Sequence, residues 1–207
     1  MYTLLVQTVG GAPQPLICSI CHHEPARILF VVSPQTRAQV QAQIIPGLAA
    51  EGRSLGPGMY ELVDLTDVED FEACVSEIAR LRADVQTWSE RGPEYRVVVD
   101  FTGGTKVMSA AAALASLRWP CSYSYVGGER RDKEGVGIVV SGTERVLHKA
   151  DPVRLRSFLE RDRFIHLFNR QDYAAARAIA EHERNAVEHG LKTDWATACQ
   201  LAETYLW

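Results

Sequence analysis

The sequence lacks any long hydrophobic run. Its longest apolar stretches, such as Ile28–Val32 and Ala110–Leu114, fall far short of the ~20 residues a helix needs to cross a bilayer, so no membrane span is expected. It also lacks an excess of either charge. Its 22 lysines and arginines stand against 26 acids, a net charge of −4 with 46% hydrophobic residues, which excludes disorder as the main state. A pI near 5.9 argues against capture of long nucleic acid by the whole surface and leaves only a local basic pocket. Cysteine is sparse and odd in number: five residues spread from Cys18 to Cys199 do not make a secreted disulfide framework. The amino terminus shows neither a basic leader nor a small-residue cleavage site, so the expected compartment is a reduced cytoplasm.

Several chemical signatures are missing as well. The Walker phosphate loop needs Gly immediately before Lys, where this chain has Thr105 before Lys106. The dinucleotide fingerprint G-x-G-x-x-G is not supplied by Gly10-Gly11-Ala12-Pro13-Gln14-Pro15. Neither an ATPase nor an NAD enzyme is therefore favoured. No Ser–His–Asp set or carboxylate pair stands out. Cys18-Ser19-Ile20-Cys21-His22 matches a haem-attachment pattern, but that chemistry belongs to exported proteins, and no second Cys pair completes a zinc site. No metal and no cofactor are expected.

What is present is an alternation of short apolar runs with helical patterns. Strands are expected at Tyr2–Val9, Arg27–Val32, Met59–Leu65, Tyr95–Phe101 and Cys121–Val126, then near Gly135–Val140 and Glu144–Leu147. Helices are expected from Pro13 to about His23, over Thr36–Ala49, as one long helix Glu69–Trp88 begun by Asp67, and over Lys106–Leu117. Continuous apolar runs such as RILFVV suit strands buried on both faces. The fold class is α/β: a Rossmann-like, mostly parallel sheet with helices on both faces. After Asp151-Pro152 the strands stop. Val153–Phe168, Asp172–His189 (capped by Gly190) and Thr193–Leu206 read as helices, with Phe158, Leu159, Phe164, Leu167 and Phe168 as the buried stripe. Residues 1–150 are thus expected to form the α/β domain, and 151–207 a small all-helical segment.

The stretch richest in chemistry is Asp100-Phe101-Thr102-Gly103-Gly104-Thr105-Lys106-Val107-Met108-Ser109, where a buried strand hands over to a helix. Ligands of open parallel sheets bind outside the carboxyl ends of the strands. Glycines let backbone approach a ligand, N–H groups at a helix start attract anions, and Thr102, Thr105, Ser109 and Lys106 add hydroxyls and a positive charge. The pattern points to a phosphate-bearing ligand. Gly10 and Gly11 follow the first strand at the same edge, with Gln14 placed to read a base or ribose edge. Gly127 and Gly128 are expected to turn the chain into a charged loop in which Arg130 lies nearest the ligand, while Arg131, Asp132 and Glu134 are solvated.

These three stretches, Val9–Pro15, Asp100–Met108 and Tyr125–Lys133, resemble the CARF domains (CRISPR-associated Rossmann fold) of type III CRISPR ancillary proteins. The likeness covers about the first 150 residues and is closest to the branch with a CARF sensor, a helical domain and then an effector. It implies binding of a cyclic oligoadenylate, tetra- or hexa-adenylate, across the axis of a homodimer. Gly10, Gly11 and Gln14 would line one side, Thr102, Gly103, Gly104, Thr105 and Lys106 the floor, and Gly127, Gly128 and Arg130 the cover. No effector is visible: Arg177 is followed six positions on by Glu183, not by the His of a HEPN ribonuclease signature, and an effector beyond residue 207 is expected. Two alternatives stand beside the sensor. One is a metal-free ring nuclease in which the ribose 2′-OH attacks the adjacent phosphate and Thr105 or Lys106 stabilises the developing charge. The other is a Rossmann-like DNA-binding regulator, against which the acidic charge counts.

Overall fold

The computed structural model describes residues 1–128, 143–150, 152–186 and 189–206. The chain divides into two compact units, Met1–Ala150 and Asp151–Trp207.

In the first unit, strands β1 (Tyr2–Thr8), β2 (Arg27–Val32), β3 (Tyr60–Asp64), β4 (Tyr95–Asp100), β5 (Ser122–Gly128) and β6 (Glu144–Ala150) form one six-stranded sheet in the order β3-β2-β1-β4-β5-β6. The first five pair in parallel and β6 pairs antiparallel to β5. This is the mixed, mostly parallel α/β architecture expected. β1, β2 and β4 are central, and nearly all their residues are buried, the few polar ones such as Thr3, Gln7 and Asp100 included. The edge strand β3 is only partly buried, and its sequence YELVD carries charge accordingly.

One face is covered by α1 (Pro13–His23), followed by three continuous helical segments: α2 (Arg37–Gln39), a π-helical turn (Val40–Ile44) and α3 (Ile45–Ala50). Their core joins Leu16, Ile17, Ile20, Val40, Ile44 and Leu48 to Leu5, Ile28, Phe30, Val32 and Val98. The other face carries α4 (Phe71–Ala79), α5 (Arg82–Ser89) and α6 (Lys106–Ala115), packed through Cys74, Ile78, Val85, Trp88, Met108 and Ala111 on Leu4, Val6, Leu29, Val97 and Val99. Burying both faces of the sheet supplies the main drive for folding, at about 25 cal/mol per Å² of apolar surface.

Three expectations need correction. The long helix Glu69–Trp88 is two helices: Arg80 and Leu81 bond back only three residues, to Glu77 and Ile78, which tightens and ends α4 before α5 begins. Asp70, not Asp67, caps α4, accepting from Ala73 N–H at 3.0 Å. The helix over Thr36–Ala49 contains a π turn because Pro46 has no N–H to continue the ladder; Ile45 N–H reaches back to Val40 O instead. The strand expected near Gly135–Val140 lies outside the described residues.

The second unit consists of α7 (Pro152–Asn169), α8 (Tyr173–Ala186) and α9 (His189–Thr204). Phe164, Ala176, Ala180, Trp195, Cys199 and Ala202 form its core, with Leu167 and Phe168 packed against it. Leu159 does not join the stripe and is 53% exposed. The side chain of Phe158 lies outside the described residues. Gly190 sits in the first turn of α9, not at the end of α8. Glu183, six positions after Arg177, is buried and accepts from Ser157 Oγ at 2.8 Å, while Arg177 pairs with Glu181 and Glu203. The Ser157–Glu183 and Arg177–Glu203 contacts tie helix to helix, and Arg177–Glu181 lies within α8. No helix among the described residues is long and apolar enough to cross a membrane.

Candidate functional site

The strand order reverses direction between β1 and β4, so the loops after these two strands leave the same sheet edge and diverge to opposite faces. That crevice is where open α/β sheets bind ligands. The two loops meet there, backbone to backbone. A Cβ on Gly10 would stand 2.5 Å from Gly104 N, and one on Gly103 would come within 3.0 Å of Thr8 O, Gly10 N and Leu16 Cδ2. The missing side chains of Gly10 and Gly103 are what let the two loops touch; the sequence reading gave both glycines to the ligand, Gly10 to one side and Gly103 to the floor. Thr8 Oγ1 donates to Gly103 O at 2.6 Å, and Ser109 Oγ donates to Phe101 O (3.0 Å) and Gly103 O (3.2 Å), which fixes the second loop from both sides. Gly104 has φ of +85°, a left-handed conformation that suits glycine. Gly11 is exposed and crowded by nothing.

The second loop is rich in unused donors. The backbone N–H groups of Gly103, Gly104, Thr105, Lys106 and Val107 have no acceptor among the described residues. All five belong to the turn and first positions of α6, which has no acid in its first turn, so its dipole adds to the pull on an anion. Lys106 is exposed at the first position of α6 and makes no ion pair among the described residues.

The two threonines divide the work. Thr105 Oγ1 caps α6, accepting from Met108 N–H at 3.1 Å, and donates to Val68 O at 3.2 Å. Its hydroxyl is fully committed and only its N–H remains. Thr102 Oγ1 accepts from Val126 N–H at 2.7 Å, and its own proton has no acceptor among the described residues. That leaves an oriented O–H donor.

The first loop is poorer than expected. Pro13 and Pro15 occupy the start of α1 and carry no N–H, and Ala12 at the cap provides no side-chain bond. Gln14 is exposed there, so its amide is the main polar group this loop offers. The Thr102–Val126 bond also brings the end of β5 to the site. Gly127 and Gly128 do not turn the chain: they remain in β5, paired in register with Arg145 and Glu144 of β6. Arg130 lies outside the described residues. Arg145, exposed and opposite Gly127, is a cation at this edge that the sequence reading passed over, since only strand pairing reveals it.

Among the described residues no group of His, Cys, Asp or Glu could hold a metal ion, and none of the five cysteines is in a disulfide. Burial pushes the Cys18 and Cys21 thiols up from their ordinary value, with Glu144 adding to the rise at Cys18 and Glu51 at Cys21, so neither is primed as a thiolate.

No protein-family model matches the chain, and no curated protein sequence does. Solved structures do. Csm6 of Enterococcus italicus, bound to cyclic hexa-2′-fluoro-hexa-dAMP, superposes with a TM-score of 0.64 at 13% identity, covering 98% of this chain and 54% of that one. A type III CRISPR defence DNA nuclease activated by cyclic oligoadenylate (TM-score 0.49, 15% identity, 96% of this chain and 33% of that one) and Can2 of Sulfobacillus thermosulfidooxidans in complex with cyclic tetra-adenylate (0.45, 14%, 95% and 57%) are similar more loosely. The chain spans about half the length of the Csm6 structure. It has the mostly parallel, Rossmann-like α/β fold of that structure.

Proposed function

We propose that this chain is a CARF-type sensor that binds a cyclic oligoadenylate at the crevice between β1 and β4, and that it serves type III CRISPR signalling. The observation that carries the reading is the run of five N–H groups from Gly103 to Val107 with no acceptor among the described residues, beside the Thr102 hydroxyl and Lys106. This set suits a phosphodiester. The shared fold with a Csm6 solved on a cyclic hexanucleotide analogue supports the same ligand class. Gln14 reads a base or ribose edge, and Gly127, Gly128 and Arg130 border the ring. Two copies place two such loops around one ring, and binding is relayed through residues 151–207 to an effector.

Calorimetric titration with cyclic tetra- and hexa-adenylate, followed by chromatography of the recovered nucleotide, tests this. One ring bound per two chains, recovered intact, is the expected result. Linear fragments would make the chain a ring nuclease. No binding of either ring would refute the sensor.

A further inference from the structure

Behind the anion loop lies a closed circuit of buried polar groups. Asp100 and Ser19 are fully buried, Ser124 is 1% exposed and His23 is 3% exposed. Ser19 Oγ donates to Asp100 Oδ2 at 2.6 Å, and Asp100 Oδ1 accepts the Thr102 N–H at 2.9 Å. One turn further along α1, His23 Nε2 and Ser124 Oγ are 2.8 Å apart. Two residues on in β5, Val126 N–H donates to Thr102 Oγ1 at 2.7 Å. Both arms of the circuit leave α1 and both end on Thr102.

Neither affinity nor stability explains this arrangement. A carboxylate directly behind an anion site opposes the anion through a medium of low dielectric. Well-packed apolar residues, such as Leu16, Ile17 and Ile20 beside it, would bury at lower cost than a charge. What the circuit does supply is geometry. It fixes Thr102 at its N–H and its Oγ1 together and ties both to α1 and β5.

We infer that Asp100 is a positioning residue that couples the anion loop to α1, so that occupancy of the loop and the setting of α1 change together. The inference rests on the anion site proposed above and adds how binding there leaves the site. Asp100 is out of reach of any ligand and acts only through Thr102 and Ser19.

Amide exchange followed residue by residue by NMR on the whole 207-residue chain tests it, with cyclic tetra- and hexa-adenylate as probes. In the free protein, Ser19→Ala is expected to speed exchange of the Thr102 N–H roughly tenfold, the scale of one lost buried bond to a charge. In the wild type, the ring slows exchange in α1 as well as in the loop. In Ser19→Ala the ring still binds, about tenfold more weakly, but α1 no longer responds. Asp100→Asn, with Ser19 intact, keeps an acceptor for Thr102 and turns its amide to Ser19 Oγ, so it retains the α1 response. Unchanged Thr102 exchange in free Ser19→Ala, or an α1 response that survives that change, would overturn the coupling. A wild type that binds neither ring refutes the proposed ligand, and the free-protein comparison still decides the circuit.

Discussion

The contact on which the whole site depends is the one between two glycines, and Gly103→Ala breaks it. The new Cβ would lie within 3.0 Å of Thr8 O, Gly10 N and Leu16 Cδ2. Two of those three atoms are backbone, in a stretch held by the pairing of Thr8 with Val31, by Val9 N–H on Val31 O and by the Thr8 hydroxyl on Gly103 O, so only Leu16 can give way by changing rotamer. Overpacking of a tight interior costs about 1–3 kcal/mol, and fixed backbone on two sides places this case at about 3 kcal/mol. The first unit spans 150 residues, a size at which about 1 kcal/mol moves the midpoint by roughly 2–4 °C. Thermal unfolding followed by circular dichroism should therefore fall by roughly 6–12 °C. Gly11→Ala is the matched control: nothing lies within 4 Å of its Cβ and its φ is not left-handed, so its midpoint should stay level or rise slightly. A Gly103→Ala midpoint within about 2 °C of wild type would mean the loops do not touch through these glycines, and the crevice described here would not exist.

Lys106→Ala should weaken ring binding about tenfold, the effect of one charge-assisted bond, with no change in melting, because Lys106 is exposed and packs nothing; calorimetry beside a melting curve checks both. The two threonines should separate: Thr105→Val loses a helix cap and about 1 kcal/mol of stability but keeps its N–H donor and most affinity. Thr102→Val loses affinity as well as the tie to Val126, and equal binding by both variants would contradict the division of roles. Tyr123 has its phenol pushed up to about 12 by burial, its O–H donating to Ala113 O at 2.6 Å. The unfolded phenol ionises near 10, so this contribution is complete below that pH and is lost as pH rises toward 12. Denaturant midpoints should fall over that window, and Tyr123→Phe should fall less steeply.

Where the sequence was legible, a local or periodic signal carried the message. RILFVV and the VVV of YRVVVD are continuous apolar runs, which suit strands buried on both faces, and Pro13 opened α1 where expected. The division of Glu69–Trp88 had no such signal: no Gly or Pro stands at Arg80-Leu81, and the break follows from packing Leu81 and Val85 onto the sheet. The π turn was foreshadowed by Pro46, which sits inside an otherwise helical pattern. In the site, Thr105 as a cap can be read from its place before Lys106. The Thr102–Val126 bond spans 24 positions and the Gly10–Gly103 contact still more, so both depend on which strands become neighbours. The two prolines of the first loop were in plain view, and their missing N–H groups are why that loop contributes less than its glycines suggested.

The same imbalance shows how the proposed sensor, an acidic chain, could hold a polyanion. With a net charge of −4, the surface as a whole repels a long nucleic acid, whose affinity depends on many phosphate–cation pairs. The crevice works differently. Its described floor offers one lysine and six neutral donors, the five N–H groups and the Thr102 hydroxyl. Neutral donors at a helix start attract phosphate only at close range and only in the geometry they are held in. A compact ring that presses its phosphates into that floor satisfies them, whereas an extended strand would leave most of its charge against an acidic surface. In the proposed sensor, selectivity for a small cyclic phosphodiester comes from rigidity of the donors rather than from charge, and the bonds made by Thr8, Ser19, Asp100, Ser109 and Ser124 serve to hold one short loop still.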